Sequence, residues 1–141
     1  MDLVQSQKLW VLTHLLFPNS AQARDVYLFF INDFNKNSKV DLFKKILQIY
    51  LKTEIIQSNL FFAEFENPTV KLWPVFYKKL NKEERLFLIA KLIYEFNIKD
   101  LSRVFKGTEN QVTNKFLATV YKIIPKPEFK TKAAYKFELT L

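Results

Sequence analysis

The chain has no cysteine, so neither a disulfide framework nor a thiolate metal site is open to it. A reducing compartment, the cytoplasm, is the expected location. His14 is the single histidine and has no second imidazole with which to build a zinc site. One glycine, Gly107, is too few for a Gly-rich phosphate loop. Antiparallel sheets usually need many Gly-bearing turns, so one glycine and five prolines favour helices with short connections. Residues 1–17 lack a basic leader, and Thr13 and His14 cut their apolar run. Neither a signal peptide nor a membrane span is expected there. No nucleophile–base pair can be argued from the residue types. A non-enzymatic chain with no cofactor and no metal is expected.

What remains is apolar and basic. About half of the 141 residues are apolar (49%), enough for one domain core or for two small helical units. The net charge of +8 is unevenly spread. In residues 1–66, Lys8, Arg24, Lys36, Lys39, Lys44, Lys45 and Lys52 balance Asp2, Asp25, Asp33, Asp41, Glu54, Glu64 and Glu66. Residues 67–141 therefore carry the whole excess. Lysines that neutralise phosphates release counterions, so this half is the one a nucleic acid would attract, in a salt-sensitive manner. A solvated lysine-rich surface is the plainer explanation.

Helical periodicity and capping residues predict an all-α protein. Residues 6–17 and 20–35 read as two helices broken at Pro18-Asn19, with Ser20 as the second N-cap. Ser38 and Asp41 cap a third helix expected from residue 39 to about residue 65, on the stripe Val40, Phe43, Ile46, Leu47, Tyr50 and Leu51. The Glu66-Asn67-Pro68-Thr69 stretch is the best domain boundary, because proline disfavours helix at the residue before it. Residues 74–80 form a separate short helix. The expected organisation is an N-terminal helical unit at 1–66, a second domain at 67–124 and a basic tail at 125–141.

The clearest pattern runs from residue 80 to residue 121. Asn81 with Glu84 makes a capping box for a segment bearing Leu86, Ile89, Ala90 and Ile93. Asn97 opens a second segment with Leu101, Val104 and Phe105 on one side. Gly107 can take positive φ and end it. Thr108, with Gln111, caps a third segment striped by Val112, Phe116, Val120 and Ile123. Two short helices across a tight Lys106-Gly107 turn make a helix-turn-helix, a device that sets one helix in the major groove of DNA.

Residues 100–116 (DLSRVFKGTENQVTNKF) resemble the helix-turn-helix in region four of bacterial RNA polymerase sigma factors, of the extracytoplasmic-function type. Asp100, Leu101 and Ser102 match that family's acidic, aliphatic and small positions. Phe105 holds its Leu place, Thr108 its Ser place and Val112 its Val place. Upstream, residues 76–92 (FYKKLNKEERLFLIAKL) are similar too, with Arg85 at the family's arginine. Two departures stand out: Lys106 occupies the turn-glycine place and Gly107 the following hydrophobic one. The N-terminal half resembles region two only in outline, through Ala23-Arg24-Asp25-Val26 with Phe29 and through residues 43–49. Ile46 replaces the family's tryptophan there and Leu28 its glutamine. No basic-aromatic run suited to opening a promoter is present.

The resemblance implies a role in transcription initiation or its regulation. Its partners would be promoter double-stranded DNA, the RNA polymerase core and an anti-sigma-like regulator, with no membrane. Asn110, Gln111, Asn114 and Lys115 are expected on the face away from Val112, with Thr113 on its flank. Amides pair bidentately with adenine, and lysine reaches guanine or phosphate. Lys99, Arg103 and Lys106 suit backbone phosphates, and Tyr121 and Lys122 extend the contact. The apolar segment 80–96 is the expected polymerase surface. The alternatives are an ordinary solvated helix face, or a sigma-like protein–protein adaptor that does not read DNA. His14 is expected to pack rather than react, and Trp10 and Trp73 to anchor the core or a domain interface.

Overall fold

A computed structural model describes residues 3–33, 38–57 and 72–124. Among them every regular element is a helix: α1 (Leu3–Leu16), α2 (Ser20–Ile31), α3 (Lys39–Lys52), α4 (Trp73–Lys79), α5 (Lys82–Leu92), α6 (Ile98–Phe105) and α7 (Glu109–Ile123). The all-α expectation holds. No helix among the described residues is long and apolar enough to cross a membrane. The chain divides into two compact units, Met1–Pro74 and Val75–Leu141. The expected boundary at residues 66–69 and the expected tail at 125–141 lie outside the described residues.

In the first unit α1 buries Leu9, Leu12, Thr13, Leu15 and Leu16. Asn19, not Ser20, caps α2: it takes an extended backbone (φ −76, ψ 120) and accepts a hydrogen bond from Gln22 N at 3.0 Å. Ser20 is already helical. Pairing of α1 with α2 is fixed by the 2.7 Å hydroxyl contact of Ser6 with Tyr27 and by the edge-on packing of Trp10 on Tyr27 at 5.0 Å. His14 packs as expected. Its Nδ1 lies 2.8 Å from the Trp10 carbonyl oxygen, and its ring is 4.1 Å from the Trp10 ring. Trp73 is buried and donates its indole N–H to the Leu15 carbonyl at 2.8 Å, closing the last turn of α1.

Ser38 caps α3 as its sequence indicates, accepting from Asp41 N at 3.2 Å. The helix stops at Lys52, well short of residue 65. Thr53 turns extended (φ −84, ψ 131), and its hydroxyl donates to the Ile49 carbonyl at 2.6 Å. That local bond competes with helix continuation. The next residues are held by a distant side chain: Gln22 Nε2 donates to the Glu54 carbonyl at 2.9 Å, and Ile56 N donates to Gln22 Oε1 at 3.0 Å. Residues 58–65 lie outside the described residues.

In the second unit α5 is the central element. Leu86, Phe87, Leu88, Ile89 and Ala90 are buried in succession, so this helix is covered on more than one side. Leu80, Tyr94 and Phe96 are buried too, and burial pushes the Tyr94 phenol above its usual value. Most of the large apolar side chains of residues 80–96, the expected polymerase surface, are therefore buried, and Leu92 and Ile93 remain half-exposed. Phe87 sets its ring 4.8 Å from Phe105 of α6 and 6.0 Å from Phe116 of α7. One aromatic cluster thus ties three helices together. Arg85 turns back onto α4, donating Nε to the Tyr77 carbonyl at 3.1 Å with its guanidinium 3.6 Å over the Tyr77 ring.

Candidate nucleic-acid interface

Three N-caps set where the helices of this unit begin. Asn81 and Glu84 exchange backbone–side-chain bonds at 2.8 and 3.0 Å, a complete capping box for α5. Asn97 accepts from Asp100 N at 2.8 Å and starts α6. Thr108 and Gln111 form the second capping box, at 3.1 and 2.9 Å, and start α7. All three are legible in the sequence from residue type and spacing alone.

The turn between α6 and α7 differs from expectation. Lys106 takes the left-handed conformation (φ 47, ψ 81), whereas Gly107 does not have positive φ. Lys106 N donates to the Ser102 carbonyl as a regular helical bond, and Gly107 N reaches the same carbonyl at 3.3 Å as the six-to-one bond, so the left-handed residue of the closure is Lys106, one before the glycine. A side chain in that conformation costs roughly 1–2 kcal/mol. Lys106→Gly is therefore expected to stabilise the unit by about 1 kcal/mol after the greater chain entropy of glycine is set against the gain. Gly107→Ala is expected to shift stability by less than about 1 kcal/mol, since a Cβ there meets the Gln111 side-chain oxygen at 3.2 Å as its one tight contact and the Gln111 and Val112 side-chain carbons at ordinary distances of 3.5 and 3.7 Å. Urea titration of both variants checks the pair. A destabilised Lys106→Gly protein would contradict the turn geometry.

Helix α7 buries Val112, Phe116, Thr119, Val120 and Ile123 on one side. The opposite side carries Asn110, Asn114, Leu117 and Tyr121, at helical spacings of four, three and four residues. Asn110, Gln111, Thr113 and Asn114 are exposed. Gln111 Oε1 serves the capping box, and the Thr113 hydroxyl donates to the Glu109 carbonyl at 2.8 Å. The two asparagines are thus the exposed amides of α7 that take no part in its cap.

Lys115 departs from the expected outward face. It follows Val112 by three residues and precedes Phe116, so helical geometry sets it beside the buried stripe. There it is half-buried and pairs closely with Glu83 of α5, with its ammonium 5.6 Å from the centre of the Phe105 ring. Lys122, one and a half to two turns further along, pairs with Glu84 at 2.6 Å. Both carboxylates come from the first turn of α5, a relationship across more than thirty residues that local spacing does not reveal. Lys99 and Arg103, one turn apart on α6, and Lys106 in the following turn are all exposed. None of the three has an ion-pair partner among the described residues. On α6 and its turn the described residues thus leave three cations without an ion pair, while two cations of α7 are paired with α5.

Such a surface can bind and position an anion or a base edge; its exposed groups are donors, acceptors and fixed charges. No family model, curated protein or solved structure matches the chain.

Proposed function

We propose that the C-terminal unit binds promoter-type double-stranded DNA as a sigma-factor-like transcription initiation or regulatory protein, without catalysing a reaction. The observation that carries this reading is the pairing of a free amide edge with a free basic edge. Asn110 and Asn114 stand exposed on α7. Lys99, Arg103 and Lys106 stand exposed on the preceding helix and turn. Amides read adenine in the major groove, and cations on the neighbouring element take up backbone phosphates that set register. The resemblance of residues 100–116 to sigma region four supplies the second partner, the RNA polymerase core.

Titration of fluorescent duplex DNA at rising salt tests the reading. The Asn110→Ala/Asn114→Ala protein is expected to keep its salt-dependent, non-specific binding and to lose discrimination among sequences by about 1–3 kcal/mol per amide pair. Unchanged discrimination in that variant would remove α7 from base recognition.

A second reading rests on one specific observation: Lys115 and Lys122 are held by Glu83 and Glu84. A helix with its own cations compensated suits a sigma-like adaptor that contacts polymerase or a sigma regulator without reading DNA. Absence of duplex binding at low salt, together with retention of added polymerase core, favours it.

A further inference from the structure

The outward stripe of α7 includes one residue that hydrogen bonding to bases cannot employ. Leu117 retains 36% exposure, in line with Asn110 and Asn114 on the side opposite the buried stripe. At about 1.5 Å per residue, Asn114 lies some 6 Å along the axis from Asn110, and Leu117 about 4.5 Å beyond Asn114. Base pairs succeed one another every ~3.4 Å. The three side chains therefore span about three base-pair steps, within reach of one short stretch of major groove.

Their chemistry narrows which base pairs. Each amide can pair bidentately with adenine N6 and N7, and the apolar group displayed in the major groove is the thymine 5-methyl. A leucine pressed on a G·C pair would cover the guanine O6 or the cytosine amino group without offering either a partner. The lysines of α7 that suit guanine are already engaged: Lys115 by Glu83 and Lys122 by Glu84. We propose that α7 selects A·T pairs, with Asn110 and Asn114 on adenines and Leu117 against a thymine 5-methyl. The assignment rests on α7 being the base-facing helix.

Fluorescence anisotropy with three duplexes of equal length tests it: one of A·T pairs, the same duplex with uracil in place of thymine, and one of G·C pairs. The uracil duplex differs from the first only by its missing methyls. The full chain is expected to favour the A·T duplex over the G·C duplex, and to bind the uracil duplex about fourfold more weakly, the contribution of one methyl-sized apolar group. Leu117→Ala, checked for an intact fold by circular dichroism, is expected to bind the thymine and uracil duplexes alike. Equal affinity of the unaltered chain for those two duplexes, or preference for the G·C duplex, overturns the assignment while leaving DNA binding in place. Binding to none of the three at low salt overturns it together with the DNA reading.

Discussion

Phe87→Ala is expected to unfold the C-terminal unit, or to leave it barely folded. Phe87 is fully buried, and its ring meets Phe105 of α6 and Phe116 of α7. Removing a buried phenylalanine costs about 3–5 kcal/mol, through lost transfer energy and the cavity left behind. Folded domains are held by only about 0.05–0.15 kcal/mol per residue, so a unit of this size has a margin of the same order. The three helices share that one cluster, and no strand ladder or disulfide among the described residues stands in reserve. Hydrogen exchange over residues 82–123 is the direct measurement, because it reports this unit by itself. Protection is expected to collapse in Phe87→Ala and to persist in Leu117→Ala, whose side chain is partly in solvent. Protection that survives in Phe87→Ala would mean that the aromatic cluster is not what joins these helices.

Neutralising Lys99, Arg103 and Lys106 together is expected to remove most of the salt dependence of duplex binding. Each phosphate contact contributes about 0.9 to the slope of log affinity against log salt, so three contacts contribute about 2.7. Over a fourfold rise in salt, the unaltered chain should then lose about 40-fold more affinity than the Lys99→Gln/Arg103→Gln/Lys106→Gln protein. Lys115→Gln should change the slope far less, because Glu83 already neutralises that ammonium and few counterions remain to be released. The reciprocal variant, Glu83→Gln, should steepen the slope by up to about 0.9 as Lys115 becomes available to phosphate. Equal slopes for the triple variant and for Lys115→Gln would refute the division between free and compensated cations.

Much of the fold is readable residue by residue. Asn81 with Glu84, Asn97, and Thr108 with Gln111 begin their helices where capping chemistry puts them, and Ser38 does the same for α3. A cap is satisfied within three residues, so its signal is complete in the local sequence. The buried stripe of Val112, Phe116, Val120 and Ile123 is likewise a local periodicity. Where two neighbouring residues can both do a job, the same reasoning slips by one position. Asn19 rather than Ser20 caps α2, and Lys106 rather than Gly107 adopts the left-handed turn.

The candidate site is legible only in part, for the same reason. Exposure of Asn110, Gln111, Thr113 and Asn114 follows from their phase relative to Val112. The capture of Lys115 and Lys122 does not, since it depends on where α5 lies against α7. The chain after α3 shows both ranges: the Thr53 bond at its end is local, whereas Gln22, more than thirty residues away, takes the backbone bonds of Glu54 and Ile56.

By itself, the sequence determined that this is a helical protein, where most of its helices begin, and which half bears the positive charge, because caps, periodicity and charge counts act over a few residues or none. Tertiary structure decided which of those charges stay free. An ion pair between helices is set by packing distance, and the burial of Phe87 among Phe105 and Phe116 is what brings the carboxylates of α5 to the flank of α7.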